Sequence, residues 1–245
     1  MQFTKDYEIH YYNCSADMQC SLYSMIRFFE DIAIQQSESL GVGVEFYNRE
    51  KVGWMLARWL VNIERLPMFG ETIKIITTPK AFSGFYANRE FSVMDSNGNE
   101  IITANTLWIF VNLDTRRPAR ITQKMFDAYG PSREDMKTFT KLNEVKPVEQ
   151  IEYEKKFRVR LSDIDTNGHV NNSQYINWSL ETLPPEIHSD YTIKSLAVNY
   201  LKETSADDIV IARTVSSEAD KAILFTSEIT CNDAVVARIE ISLRK

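Results

Sequence analysis

Apolar and polar residues alternate along the last part of this 245-residue chain. Between residues 235 and 244 one set of alternate positions is apolar and the other mostly polar: Val235, Ala237, Ile239, Ile241 and Leu243 against Val236, Arg238, Glu240, Ser242 and Arg244. Because successive side chains of a strand point to opposite faces of a sheet, this pattern predicts a strand with one buried face. Similar patterns predict strands at residues 54–61, 72–77, 86–94, 101–111, 209–215 and 223–229, with an Asn-Gly turn at 97–98. We therefore expect mainly antiparallel sheet.

Two segments have the period of an α-helix instead. The first carries its apolar residues on one stripe of a 3.6-residue repeat: Leu22, Met25, Ile26, Phe29 and Ala33. The second is predicted to begin near Asn171, whose side chain can cap it, and to run to residues 181–182. Pro184 and Pro185 follow it and are expected to end it.

The order of predicted elements is the same in both halves of the chain: a short strand, one helix, then a run of strands. Residues 3–111 form the first copy and residues 153–243 the second. The predicted division is an N-terminal domain at 1–126, a polar linker at 127–150 that is partly helical after Ser132, and a C-terminal domain at 151–245. On pattern alone, a duplication and an ordinary α+β arrangement are both open.

Composition narrows the class of protein. Hydrophobic residues make up 44% and charged residues 25% of the chain, as in folded globular proteins. The net charge of -6 argues against binding nucleic acid over the whole surface, and no apolar run approaches the roughly 20 residues that span a bilayer. The N-terminus resembles neither a secretory signal nor a transit peptide. Cys14, Cys20 and Cys231 form no Cys-x-x-Cys pair, so we expect reduced thiols and a cytoplasmic location.

A polar segment directly before the second helix concentrates the groups that could carry chemistry. Residues 163–172 contain two carboxylates, three amides and the imidazole of His169. The N–H groups at a helix N-terminus can stabilise an oxyanion, but the same residue types also serve turns and helix caps. A calcium loop starting at Asp163 would need Glu where this chain has Gln174, and a zinc site would need further His or Cys ligands at short spacing. From residue types and spacing alone, an active site and a structural turn are equally open interpretations of this segment.

The same segment carries a family resemblance. Its sequence from Asp163 to Trp178, DIDTNGHVNNSQYINW, resembles the D-x-D-x-N-x-H-V-N-N-x-x-Y-x-x-W signature of plant and bacterial acyl-ACP thioesterases, and the acid that follows is Glu181. The segments 108–121 and 200–204 resemble that family's T-R-R and Y-x-x-E-C regions. The resemblance implies an α+β fold of two tandem hotdog domains (a double hotdog), in which two curved antiparallel sheets each wrap one long helix.

The resemblance implies an enzyme that hydrolyses fatty acyl-ACP and terminates fatty acid synthesis, with no metal or organic cofactor. The residues that match the family's catalytic positions are Asp165, Asn167, His169 and Glu203, the last expected at the end of a strand. The family's plant members have Cys after this acid where the chain has Thr204, so no thiol nucleophile is expected there. We expect attack by water, with Asp165 or Glu203 as the base and Asn167 as an oxyanion donor. Covalent attack by a carboxylate stays open.

Other residues are candidates for binding the substrate. The acyl chain is assigned to the first domain, although ordinary core packing is the simpler interpretation of each residue alone: Met25, Ile26, Phe29 and Trp54. Docking of an acidic acyl carrier protein is assigned to basic residues that also fit a solvated surface: Arg116, Arg117, Arg120 and Lys202, with Lys124 near the arginines. The alternative functions are an acyl-CoA thioesterase of the same fold and a non-catalytic acyl-binding protein. A homodimer is left open.

Overall fold

Antiparallel strands form most of the chain in the computed structural model, which describes residues 1–219 and 222–245. The elements divide between two units, Met1–Arg58 with Leu66–Leu142 and Trp59–Arg65 with Asn143–Lys245. The domain boundaries derived from the sequence stay a prediction. Within the described ranges, no helix is both long and apolar enough to cross a bilayer.

The first unit is a sheet with helices around it. Its strands are β1 (Phe3–Glu8), β2 (Val52–Ile63, of which residues 52–58 belong to this unit), β3 (Thr72–Ser83), β4 (Tyr86–Met94), β5 (Glu100–Asn112) and the short β6 (Arg117–Pro118). They are ordered β1-β3-β4-β5-β2, and β6 pairs with β5. The helices are α1 (Leu22–Ser39), α2 (Val44–Glu50), α3 (Gln123–Tyr129) and α4 (Arg133–Lys137). Helix α4 begins directly after Ser132, as predicted.

Helix α1 forms because a capping residue precedes an apolar stripe. The Ser21 side chain accepts the N–H of Ser24 at 3.1 Å and so caps the helix. The predicted stripe is buried throughout: Leu22, Met25, Ile26, Phe29 and Ala33. The ring of Phe29 lies 4.9 Å from that of Phe91 on β4. Burial of each large apolar side chain contributes about 1.5–3 kcal/mol, so this stripe holds the helix against the sheet.

The predicted turn between β4 and β5 is present. The Asp95 carboxylate accepts the backbone N–H groups of Asn97 and Asn99, each at 2.9 Å. Gly98 has φ +81°, a left-handed conformation that glycine adopts without steric cost. The turn explains why the alternation predicted the bounds of β4, Tyr86–Met94, correctly.

The second unit repeats this order with a shorter helix. Its strands are β7 (Tyr153–Arg158), β8 (Thr192–Tyr200), β9 (Ile209–Ala219), β10 (Ala222–Cys231) and β11 (Ala234–Arg244), ordered β8-β11-β10-β9-β7. Its helices are α5 (Asn172–Leu180) and α6 (Pro185–Asp190). Strand β7 and helix α5 start 150 residues after β1 and α1, at 153 against 3 and at 172 against 22. The predicted repeat of a strand, a helix and a run of strands is confirmed.

The helical part of the second unit differs in detail from the expectation. Helix α5 has nine residues, half the eighteen of α1. Its N-cap is Asn171, as predicted, and its last residue is Leu180. Pro184 and Pro185 do more than end it, because Pro185 begins α6. A proline fits there because the first helical N–H has no acceptor within the helix.

Two strand expectations are corrected. Strand β8 ends at Tyr200, so Glu203 lies in an irregular segment rather than in a strand. The pairing of β10 with β11 shifts between Ile229 and Thr230. This β-bulge changes which alternate residues of β11 face the core. Val236 is therefore buried, and Val235, which the alternation predicted on the buried face, is only partly buried.

Candidate active site

The polar segment before α5 folds into a short 3₁₀ turn and a tight loop. Ile164 and Val170 pair as an isolated antiparallel bridge, and between them the N–H of Asp165 donates to the carbonyl of His169 at 2.8 Å. Gly168 has φ +81° and donates its N–H to the Asp165 carbonyl at 3.1 Å. A side chain at position 168 would strain this conformation, so the glycine allows the loop to close.

The Asp165 carboxylate organises the loop from within. It accepts the backbone N–H groups of Asn167 at 2.8 Å and His169 at 3.3 Å, and the Asn167 side-chain amide donates to it at 3.2 Å. Three donors on one carboxylate fix the directions in which the Asn167 and His169 side chains leave the backbone. The structure thus brings three of the predicted catalytic residues into one loop.

Glu203 meets this loop from the irregular segment after β8. Its Oε2 lies 3.2 Å from Nε2 of His169, with side-chain exposures of 35% and 28%, so both groups remain reachable from solvent. The contact is an ion pair when the imidazole is protonated and a hydrogen bond when the neutral ring carries its proton on Nε2. A main-chain bond supports it, because the N–H of Val170 donates to the carbonyl of Thr204 at 3.0 Å. All four predicted catalytic residues therefore lie around one loop.

Thr204, the residue that replaces the expected cysteine, is buried. It is 2% exposed, and its hydroxyl lies 2.7 Å from the hydroxyl of Tyr175. Its N–H donates to the same phenol oxygen at 3.1 Å. A buried hydroxyl whose hydrogen-bond partner is a phenol lacks the adjacent base that activates a nucleophile. This placement supports the expectation of attack by water.

Two other acids of the motif make structural contacts. Asp163 is 4% exposed and accepts both the backbone N–H and Nη2 of Arg160 at 2.9 Å. Glu181, just after α5, accepts Nζ of Lys155 at 2.9 Å. Asp163 therefore belongs to the turn, as its omission from the predicted catalytic set assumed. Over the described residues, no group of three or more His, Cys, Asp and Glu side chains could hold a metal ion.

Both halves of the chain match the domains of one enzyme family. Residues 1–129 match the acyl-ACP thioesterase N-terminal domain, and residues 145–245 match the acyl-ACP thioesterase C-terminal domain. The chain belongs to the acyl-ACP thioesterase family. The family resemblance drawn from the motif is therefore confirmed over both units.

Curated members of the acyl-ACP thioesterase family are moderately similar to this chain. Palmitoyl-acyl carrier protein thioesterase of Cuphea hookeriana is 27% identical over 224 residues, which are 85% of this chain and 53% of the relative. Dodecanoyl-[acyl-carrier-protein] hydrolase of Cinnamomum camphora is 27% identical over 232 residues, 88% of this chain and 59% of the relative. Both are described as chloroplastic. The chain thus spans about half the length of the curated relatives it matches.

Solved structures of the family share the fold. A protein described as an oleoyl thioesterase from Lactobacillus plantarum superposes with a TM-score of 0.91 at 24% identity, over 100% of this chain and 96% of that one. The 12:0-ACP thioesterase from Umbellularia californica gives a TM-score of 0.83 at 22% identity, over 99% and 94% of the two chains. The predicted α+β double hotdog is confirmed.

The first unit of this acyl-ACP thioesterase family member contains the same loop with different polar side chains. The backbones of Cys14 and Cys20 form an isolated antiparallel bridge, as those of Ile164 and Val170 do in the second unit. The N–H of Ser15 donates to the carbonyl of Gln19 at 2.8 Å, as that of Asp165 does to His169. In the places of Asp165, Asn167 and His169, the first loop has Ser15, Asp17 and Gln19. The predicted catalytic set is therefore complete in the second unit alone.

The cysteines of the chain are free thiols that are poorly suited to act as nucleophiles. Burial, with a smaller contribution from Cys14, raises the pKa of Cys20 to about 12. Burial and the nearby Asp208 carboxylate raise the pKa of Cys231 as well. A thiol with a raised pKa keeps its proton at neutral pH, and the thiolate is the nucleophilic form.

The predicted acyl-binding residues fall into two groups. Met25, Ile26 and Phe29 are fully buried on the inner stripe of α1, as core residues are. Trp54 is only partly buried. Its ring lies 4.8 Å from that of Phe110, within an aromatic cluster on the inner side of the first sheet. Of the four candidates, Trp54 therefore offers the most surface to a ligand.

The predicted docking residues are exposed. Arg116, Arg117 and Arg120 follow β5 in the first unit, and Arg116 adopts a left-handed turn conformation with φ +55°. Lys124 lies over the ring of Phe46, 4.6 Å from its centroid. Lys202 is exposed in the second unit, one residue before Glu203. The three arginines form a local basic segment on the surface of a unit that belongs to an acidic chain.

Proposed function

We propose that this chain hydrolyses the thioester of fatty acyl-ACP, releasing free fatty acid and the carrier protein, and so terminates fatty acid synthesis. The observation that carries the proposal is the 3.2 Å contact between His169 and Glu203 in a member of the acyl-ACP thioesterase family. The palmitoyl-ACP and dodecanoyl-ACP enzymes among its relatives support a fatty acyl substrate.

Glu203 is the base in this proposal. The Asp165 carboxylate accepts three hydrogen bonds within its own loop, whereas Glu203 faces the His169 imidazole and is partly exposed. The Glu203 carboxylate removes a proton from water while the water oxygen bonds to the thioester carbonyl carbon. His169 orients that carboxylate through Nε2, and Asp165 keeps the loop that carries His169 in shape.

The tetrahedral intermediate needs hydrogen-bond donors at its oxyanion. We assign this role to the side-chain amide of Asn167 and to N–H groups at the start of α5, where a helix presents unpaired donors and a partial positive charge. Collapse of the intermediate re-forms the carbonyl and breaks the C–S bond. A thiol with a pKa of about 8.5 leaves as thiolate without a strong acid and takes up the proton that water lost.

The two parts of the substrate bind at different residues in this proposal. The acyl chain contacts the N-terminal unit at Met25, Ile26, Phe29 and Trp54. The acidic carrier protein binds a local basic surface, which attracts it although the net charge of the chain is -6. In the first unit the residues assigned to that surface are Arg116, Arg117 and Arg120, and in the second unit the assigned residue is Lys202. A cytoplasmic location, expected from the cysteine content, is part of the same proposal.

Hydrolysis of matched acyl-ACP and acyl-CoA substrates by the purified protein tests the proposal. We expect thiol release from medium- or long-chain acyl-ACP, with a higher kcat/KM than for the same acyl group on CoA. Glu203→Gln should be nearly inactive, and Glu181→Gln, which changes an acid paired with Lys155 instead, should stay active.

Other outcomes of that assay assign other functions. A preference for acyl-CoA would make the chain an acyl-CoA thioesterase. Binding of acyl thioesters without turnover would make it an acyl-binding protein. Loss of activity in EDTA with recovery on adding zinc would overturn the metal-independent mechanism.

A further inference from the structure

One buried phenol contacts both the main chain and the side chain of the residue after Glu203. The Tyr175 hydroxyl accepts the N–H of Thr204 at 3.1 Å and lies 2.7 Å from the Thr204 hydroxyl. Both residues are 2% exposed, so water does not compete for these bonds. Either hydroxyl can be the donor in the second contact, because each carries one proton and can also accept.

The segment that carries Glu203 depends on such contacts. Residues 201–208 are irregular, between β8 and β9. The N–H of Lys202 donates to the carbonyl of Val236 at 3.2 Å on one side of Glu203. On the other side, Thr204 is held through its N–H, its hydroxyl and its carbonyl, the last accepting from Val170 at 3.0 Å. Two of these three contacts are made by one atom of Tyr175.

Tyr175 is itself held in place. It sits on α5 with its ring 5.4 Å from that of Trp178 and 5.8 Å from that of Tyr200, both edge-on. Edge-to-face packing restricts a ring to one orientation. The hydroxyl is therefore a fixed point to which the irregular segment attaches.

The first unit shows that the loop closes without this phenol. There the N–H of Cys20 donates to the carbonyl of Pro67 at 2.8 Å, the counterpart of the bond from Val170 to Thr204. Pro67 has no N–H to give to a hydroxyl, and at the 150-residue spacing the place of Tyr175 is taken by Met25. The first unit, which has no counterpart of His169, thus keeps the main-chain bond and lacks both hydroxyl contacts. Folding of the loop does not require them.

We propose that Tyr175 is a positioning residue, which acts through Thr204 to hold the Glu203 carboxylate against His169. The inference rests on the proposed thioesterase function, which it deepens. A base works only within hydrogen-bond reach of its proton, and a displacement of about 1 Å can cost about 100-fold in rate. Tyr175 touches no reacting atom, so its effect is confined to geometry.

Substitutions that delete one hydroxyl each test the proposal in the full-length chain. Tyr175→Phe and Thr204→Val should each lower kcat by about 10- to 100-fold with KM nearly unchanged. The double variant should be no slower than the slower single variant, because the contact that Thr204→Val removes is one of the two that Tyr175→Phe removes. Thr204→Ser keeps the hydroxyl and should recover most of the rate.

The matched control is Thr214→Val in the same unit. Thr214 is fully buried and its hydroxyl contacts those of Thr182 at 2.6 Å and Ser227 at 2.7 Å. This variant loses a buried hydroxyl of the same kind, whose partners are neither Tyr175 nor Thr204. It should lower the free energy of unfolding comparably and leave kcat unchanged.

A readout that needs no substrate separates this proposal from the proposed function. The chain has three histidines, so the His169 ring signals in a ¹⁵N-histidine-labelled sample can be assigned with His169→Ala. In Tyr175→Phe those signals should move towards their positions in Glu203→Gln, whereas in Thr214→Val they should stay at the wild-type positions.

Each result decides the matter. Wild-type His169 signals together with unchanged kcat in Tyr175→Phe would overturn the proposal. Equal losses of kcat in Tyr175→Phe and Thr214→Val would overturn it too, because any buried hydroxyl would then have the same effect. A wild-type protein that turns over no thioester would refute the proposed function, and the ring signals would still show whether Tyr175 holds the pair.

Discussion

Glu203 Oε2 lies 3.2 Å from Nε2 of His169. The hydrogen-bond partners of Glu203 thus differ from those of Asp165, the other acid of the site. Asp165 accepts its three hydrogen bonds from residues of its own loop. The two carboxylates therefore have different tasks in the proposed mechanism. Substitutions that keep the size of each side chain can separate a base from a group that shapes a loop.

Glu203→Gln is expected to lower kcat by about 10²- to 10⁴-fold, the usual contribution of general-base catalysis. Because the side chain is 35% exposed, the free energy of unfolding should change by no more than about 0.5 kcal/mol. Thiol release from acyl-ACP and urea unfolding measure the two quantities. Near wild-type turnover in Glu203→Gln, combined with an inactive His169→Ala, would instead make His169 the base.

Asp165→Ala is expected to lower stability as well as turnover. It removes the acceptor of three hydrogen bonds, and because the two from Asn167 are exposed to water the loss of stability should be about 0.5–1.5 kcal/mol. Urea unfolding should show the loss, while Thr166→Ala in the same loop, at an exposed position, should stay within about 0.5 kcal/mol of wild type. A variant at Asp165 with full stability and no turnover would show that this carboxylate acts on the substrate directly.

Replacement of all three cysteines by alanine is expected to leave turnover largely intact. Burial raises the pKa of Cys20 to about 12 and also raises that of Cys231, so neither supplies a thiolate near neutral pH. Alkylation of Cys14, which is less buried than the other two cysteines, should likewise leave the rate of the wild-type protein nearly unchanged. A loss beyond about 100-fold in a triple variant that still folds would establish a thiol mechanism.

Charge reversal of the basic segment is expected to act on carrier recognition alone. Changing Arg116, Arg117 and Arg120 to Glu should raise KM for acyl-ACP with little change in kcat, because steering by local charge affects association. The same variant should handle the matching acyl-CoA like the wild type, and added salt should narrow the difference for acyl-ACP. Equal effects on both substrates would remove these arginines from the docking surface.

Local patterns predicted those parts of the fold that depend on neighbours in sequence. Strand β4 was predicted with its observed bounds because an alternating run ends at a turn that Asp95 and Gly98 build from within. The cap at Asn171 was predicted because a cap and its helix are adjacent. The strand expected to reach Glu203 ends at Tyr200, since a side-chain pattern does not reveal where ladder partners stop.

The candidate site shows the same division. Asp165, Asn167 and His169 lie within five residues, so one motif contains them all. The role of Tyr175 could not be predicted from spacing, because its partner Thr204 is 29 residues away and meets it only once the segment after β8 folds back. The one available signal in the sequence was Thr204 at the position where the family's plant members have cysteine. It indicated only that this residue is not a thiol nucleophile.

A buried cation on β4 leads to the last prediction, on stability. Arg89 occupies an inward position of the strand at 8% exposure, and its Nη1 donates to Oε1 of Gln36 at 2.5 Å and to Oγ1 of Thr77 at 3.0 Å. Gln36→Met keeps the volume and removes an acceptor from this guanidinium, which should lower the free energy of unfolding by about 1–3 kcal/mol in urea titrations. Gln35→Met, one residue away and partly exposed, should stay within about 0.5 kcal/mol of wild type. Adding Arg89→Met to Gln36→Met should recover part of the loss, because an apolar pair leaves no buried charge short of an acceptor. If Gln36→Met is as stable as the wild type, water or another group already satisfies the guanidinium, and the bond to Gln36 contributes nothing to the fold.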